Sequence, residues 1–146
     1  MKNLKKLFKM KLIKNKIALL LLSLAGFFDS SYLTILHYKN IIPPCSLALG
    51  CEKVLNSKFS TVLGIPLALL GSLFFLVLIL LLLSESEKNN FLKYFKPLVL
   101  AGLVASIVLF CIQAFVLHAF CQYCLLSEVI VLGIFILNYP FNSSSR

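Results

Sequence analysis

An all-α membrane protein, a bundle of four transmembrane helices with a long outer loop, is the architecture this sequence predicts, and three observations predict it. Of its 146 residues 60% are hydrophobic and only 13% charged, at a mean hydropathy of +0.99. A soluble domain of this size keeps about a quarter of its residues charged, so this composition cannot cover a water-facing surface. Four apolar stretches approach the ~20 residues that a helix needs to cross hydrocarbon. The basic residues behind the net charge of +9 are gathered on one set of loops.

The first span is expected at residues 17–38, after a leader that carries seven lysines between residues 2 and 16 and no acid. Leu4, Leu7 and Phe8 among those lysines would let the leader lie on anionic lipid as an interfacial helix. A signal peptide is the competing reading of Leu19–Leu24. Against it, the apolar segment runs on to Tyr38 and shows no clear small-x-small cleavage site. The second span is expected at residues 61–83, "TVLGIPLALLGSLFFLVLILLLL", and the third at 98–120. The fourth, about 123–138, is a short but usable crossing at ~1.5 Å per residue. Gly64, Gly71, Gly102 and Ala105 suit close helix packing. The chain, 1–146, reads as one transmembrane domain.

Orientation follows from the lysines. Beyond the leader, "SESEKNNFLKYFKP" adds Lys88, Lys93 and Lys96, and the tail adds Arg146, which together account for 11 of the 14 basic residues. The positive-inside rule then puts both termini and the second loop in the cytoplasm. The charge is a topology signal, which argues against a nucleic-acid role.

That topology sorts the cysteines. Cys45 and Cys51 fall in the first outer loop, and Cys121 and Cys124 form a CxxC at the outer turn between the third and fourth spans. All four face the disulfide-permissive side. Cys111 lies near mid-span, where a lone cysteine serves as a small apolar packing residue. Positions three apart stack on one helix face, so Cys121 and Cys124 can close a disulfide, and a helix starting there would favour a thiolate through its dipole. An apolar oxidant dissolved in lipid would reach Cys124 from inside the bundle. Cys45 and Cys51 ride on a loop of roughly 22 residues, long enough to imply a function. Pro43 and Pro44 stiffen its entry and Gly50 permits a bend before Cys51. A mobile pair over a fixed pair is a layout for thiol–disulfide exchange through mixed disulfides.

Other readings compete. The pairs would serve equally as inert staples of the outer loop, in a non-enzymatic scaffold or small transporter. A four-cysteine zinc or copper site is weakened because only His37 lies near the loop pair. Asp29, with Ser30 and Ser31 in the outer half of the first span, costs about 2.5–3.5 kcal/mol at membrane depth unless paired, and either lines the pocket or faces the interface. Gln113 and His118 are expected to form interhelical or interfacial hydrogen bonds.

"PPCSLALGCEKVLNSKFSTVLGIPLALLG", followed by "CQYC" at the head of the last helix, resembles the bacterial branch of the vitamin K epoxide reductase family, from about Tyr32 to Leu137. The resemblance implies a quinone-dependent, disulfide-forming oxidoreductase of the bacterial cytoplasmic membrane. Its electron acceptor would be menaquinone or ubiquinone, and its partner a separate DsbA-like thioredoxin-fold protein, since no fused partner domain follows. By the same resemblance Cys45 exchanges with the partner, Cys51 attacks Cys121, and Cys124 delivers electrons to the quinone. Ser57 looks like the serine beside the quinone-adjacent cysteine, although a cap or turn serine would read the same. Glu52–Asn56 resembles the family's short half-helix, with Val54 and Leu55 dipping toward the bilayer. Animal members carry a tyrosine about two turns after the CxxC where this chain has Val131, which favours a plain quinone over vitamin K epoxide. DsbB-type proteins share four helices and two pairs, but place the CxxC in the first outer loop, the reverse of the order here.

Overall fold

The computed structural model describes residues 1–46, 50–84 and 90–143. Its elements are helices α1 (Lys2–Tyr38), α2 (Cys51–Leu55), α3 (Leu67–Leu83), α4 (Asn90–Cys111) and α5 (Gln122–Ser143). A 3-10 turn (Lys58–Ser60) and two short strands, β1 (Thr61–Val62) and β2 (Ile65–Pro66), lie between α2 and α3. A π-helical segment, Ile112–Leu117, continues α4.

The basic leader joins the first span as one helix of 37 residues, so it prolongs the span instead of forming the separate interfacial helix expected. α1 ends as sequence chemistry demands. Asn40 adopts the left-handed conformation (φ 54°) and Ile41 N–H returns to Leu36 O at 3.0 Å, a Schellman closure with asparagine in the usual glycine place.

The helix in the stretch expected to form the second span begins six residues later than expected, at Leu67. Thr61–Pro66 form an antiparallel hairpin whose turn residues, Leu63 (φ 54°) and Gly64 (φ 82°), both have positive φ, as a two-residue turn of type I′ requires. Gly64 is therefore a turn residue and not the helix-packing residue expected, and an added Cβ would meet nothing there. The third helix starts at Asn90, with Pro97 inside it, and its π segment stops at Leu117 where His118 turns left-handed (φ 47°). Residues 118–120 thus leave the expected third span to make the crossing turn. The fourth helix runs from Gln122 past the expected limit of 138.

Among the described residues two helical stretches, 13–38 and 93–117, are long and apolar enough to cross a membrane, and 67–83 and 122–138 are shorter apolar helices. α1 packs on α3 and α5, and α4 packs on α5. Phe75, Leu78, Leu82, Phe95, Val99 and Ile134 form the closed core. A Cβ at Gly26 or Gly102 would overlap the rings of Phe75 and Phe74, so both glycines let large neighbours approach the backbone. The outward faces are as apolar as the core, with Phe28 67%, Leu83 66% and Phe115 75% exposed, a surface suited to lipid.

Candidate functional site

The four paired cysteines meet at one end of the bundle. Cys51 opens α2, and Cys121 sits in the turn just before α5; both are sealed from solvent, 1% and 0% exposed. They share a cluster with Val54, against which Cys45, Tyr123 and Cys124 pack. Cys45 and Cys51 are joined as a disulfide with Cα atoms 6.3 Å apart, whereas Cys121 and Cys124 are thiols.

Two contacts press the loop onto the turn. A Cβ added at Gly50 would stand 2.8 Å from Ala119 Cβ and 2.8 Å from the Phe120 backbone nitrogen, so the absence of a side chain there is what lets Cys51 reach Cys121. Tyr123, on the first turn of α5, donates its hydroxyl to the Pro44 carbonyl at 3.2 Å, and its ring lies 5.7 Å from that of Tyr32 on α1.

The two sulfurs of the CxxC face different surroundings. Cys121 occupies the N-cap of α5, since its carbonyl accepts the Leu125 N–H at 2.9 Å. A hydrogen bond from the Cys124 thiol, aided by the Tyr123 and Cys124 backbone amides and opposed by burial, holds the Cys121 thiol down to about 7. The helix start expected to activate the pair therefore acts on Cys121. Cys124, one turn on, forms part of the wall of a partly open cavity of about 410 Å³ between the helices and the outer loop.

That cavity has the size and apolar walls of a small-molecule site. Ser57 lies on its wall and at the same time donates its hydroxyl to the Val54 carbonyl at 2.7 Å, closing α2, so the two readings of this serine coexist. Leu55 and Val54 line it too, and so does Val131. Asp29 does not. Its carboxylate is turned toward α5, where it accepts the Ser127 hydroxyl at 2.6 Å, and Ser127 is the residue on the wall. Cys111 also departs from expectation. It is exposed on the outer face at the end of α4, and packs into no core.

Gln113 makes the interhelical bond expected of it, and more. Its Nε2 donates to Glu128 Oε1 at 2.8 Å, and its Oε1 accepts the Cys121 backbone N–H at 2.9 Å. The π segment, which widens the helix by one residue per turn, places this side chain between the CxxC and α5. Sequence reasoning passed over Glu128, Ser127 and Tyr123. The signal for Glu128 was available: it follows Cys124 by four residues, one turn along the same face.

The arrangement suits exchange between the loop disulfide and Cys121, and it exposes only Cys124 to a molecule in the cavity. The sequence model of the vitamin K epoxide reductase family matches residues 17–139. A search of curated proteins finds no match to the chain.

Proposed function

This chain belongs to the vitamin K epoxide reductase family, and from that premise we propose that it is a thiol:quinone oxidoreductase that makes disulfides for a partner outside the membrane. Membership of this family makes it a disulfide-relay oxidoreductase; the quinone, the partner and the sidedness are our reading. One observation carries it. Cys51 and Cys121 are buried in one cluster with Val54, while Cys124 alone of the CxxC pair also lines the cavity.

The relay balances as four exchanges and one oxidation, the second exchange freeing Cys45 as a thiolate. A reduced thioredoxin-fold protein of the DsbA type attacks Cys45, releasing Cys51 as a thiolate, and its second thiol then leaves with the new disulfide. The Cys51 thiolate attacks Cys121 of the oxidised CxxC and Cys124 departs as the thiolate. Cys45 next attacks Cys51, which reforms the loop disulfide and frees Cys121. The distribution in the structure, loop oxidised and CxxC reduced, corresponds to this point. Finally Cys121 and Cys124 close their S–S bond, giving two electrons and two protons to the quinone, which becomes the hydroquinone.

The apolar cavity fits a quinone ring, whether of menaquinone or ubiquinone. In this reading the short α3 and α5 cross beside the two longer helices, in a bacterial cytoplasmic membrane. The lysine-rich leader and the α3–α4 connection stay in the cytoplasm, and the cysteines face out. Purified protein given a reduced DsbA-like donor and a quinone should produce hydroquinone, and its four cysteines should become reduced when quinone is withheld. Cysteines that stay oxidised whatever the quinone supply would instead mark structural staples in a scaffold or transporter.

A further inference from the structure

Glu128 is the one carboxyl group on the cavity wall among the described residues, and its two oxygens are used unequally. Oε1 is fixed by Gln113 Nε2 at 2.8 Å. Oε2 is buried and has no hydrogen-bond partner among the described residues. Unpaired buried polar atoms are costly and call for an explanation. Nearby hydroxyls do not supply a partner, because Ser127 donates to Asp29 and Ser57 to the Val54 carbonyl. Cys124 stands one helical turn before Glu128, and both residues contribute to the wall of the same cavity.

We propose that Glu128 is the acid that protonates the quinone oxygen as electrons arrive from Cys124. The inference rests on the quinone reading above. Oxidising the two thiols forms one S–S bond and releases two electrons and two protons; the hydroquinone takes up both electrons and both protons. Glu128 gives the first proton from Oε2 to the carbonyl oxygen and recovers one from the thiol pair beneath it, so it is unchanged over a turnover. Gln113 gives the arrangement its logic. A single amide holds Glu128 through Nε2 and the Cys121 backbone through Oε1, so electron donor and proton donor are aligned by one side chain.

The experiment uses the full-length protein with its CxxC reduced beforehand. Glu128→Gln should slow quinone reduction about 100-fold, the lower part of the range for general acid catalysis. Thiol transfer from the partner through Cys51 to Cys121, measured separately on protein whose CxxC is oxidised, should be unchanged in the same variant, which shows that the fold and the relay survive. Glu128→Asp should restore part of the rate. The wild-type rate should fall toward alkaline pH as the carboxyl loses its proton, and that limb should vanish in Glu128→Gln. Asp29 and His37 of α1, with Cys121 and Cys124, are the other titratable groups around this face, and they remain in the variant. As a readout independent of turnover, dicyclohexylcarbodiimide should modify Glu128 in the resting protein, and a non-reducible quinone analogue should protect it. A Glu128→Gln protein with wild-type rate and an intact alkaline limb, or labelling that the analogue leaves unprotected, would overturn the assignment. Absence of quinone reduction by the wild-type protein would instead sink the enzyme reading.

Discussion

At the end of the bundle remote from the cysteines, Leu78, Leu82, Phe95, Val99 and Ile134 fill the space between helices, each 2% exposed or less. At the cysteine end the same helices part around some 410 Å³. Small residues on two neighbouring helices contribute to that opening. α3 begins with Ala68 and Gly71 on the cavity wall and continues into Phe75, Leu78 and Leu82; α4 begins with Phe95 and Val99 and reaches the cavity with Ala101 and Ala105. Lipid gives apolar side chains no reason to leave it, so close packing, not hydrophobicity, holds such a bundle together. One end spends its large residues on that packing. At the other, Ala68, Gly71, Ala101 and Ala105 stand among larger wall residues such as Phe74 and Leu109 and leave a hollow that Cys124 also lines.

The contrast breaks most sharply at the cysteines themselves. Cys124→Ala should abolish quinone reduction while Cys111→Ala, on the outer face, keeps most of it; near-normal turnover by the Cys124 variant would mean that electrons leave from elsewhere. Within the hollow end the loop pair should divide its labour. Cys51→Ala leaves Cys45 without an internal partner and should accumulate a mixed disulfide with the DsbA-like protein, whereas Cys45→Ala should leave Cys51 joined to Cys121. Non-reducing gels with partner present decide it, and partner trapped on Cys51 would exchange the two roles.

Filling the hollow should be milder. Ala105→Leu is expected to raise the KM for quinone about tenfold, equivalent to about 1.4 kcal/mol, and to leave thiol exchange between Cys51 and Cys121 untouched. Unaltered quinone kinetics would place the substrate outside this cavity. A smaller effect concerns Cys121, whose thiol is held down to about 7 chiefly by the Cys124 hydrogen bond. Attack by a thiolate on the loop disulfide is slow where the thiol is protonated, so this exchange should rise with pH through about 7 and then level off. Cys124→Ala removes the main cause and should move the midpoint upward; an unmoved midpoint would credit the helix amides instead. At the packed end, Ile134→Ala should cost about 2 kcal/mol of stability in detergent, the low end for such a truncation because lipid removes most of the transfer contribution, with the relay rates unchanged.

Much of this site was legible because cysteine chemistry is carried by few residues at fixed spacings. Cys45, Cys51, Cys121 and Cys124 could be paired and brought to one end from the lysine distribution alone, and Gly50 was marked as the bend before Cys51. Hydropathy could not see the hairpin, since Val62, Leu63 and Ile65 are as apolar as the helix that follows; only the positive φ of Leu63 and Gly64 separates them. The π segment left no trace in composition, and with it went the aim of Gln113. Asp29 was noticed as costly, but which way its carboxylate turned depended on Ser127, on another helix. The position of Glu128 one turn after Cys124 could be read from the sequence, but its unpaired oxygen is a property of packing and could not.

The Asp29–Ser127 bond has a consequence for how the protein is made. Its two residues are 98 positions apart, and the acceptor belongs to the first helix while the donor belongs to the last. At roughly 5–20 residues per second, the carboxyl group waits about 5–20 s in a nascent α1 before its hydroxyl partner has been synthesised. During that interval α1 must be retained in the membrane by its own apolar residues, against an insertion cost of about 2.5–3.5 kcal/mol for an aspartate near a helix centre. The long run from Ile17 through Phe28 supplies that reserve ahead of the residue that needs it. Ser127→Ala should accordingly leave insertion of α1 unchanged and weaken only the finished bundle, whereas thinning the apolar run before Asp29 should stall the chain at its first helix.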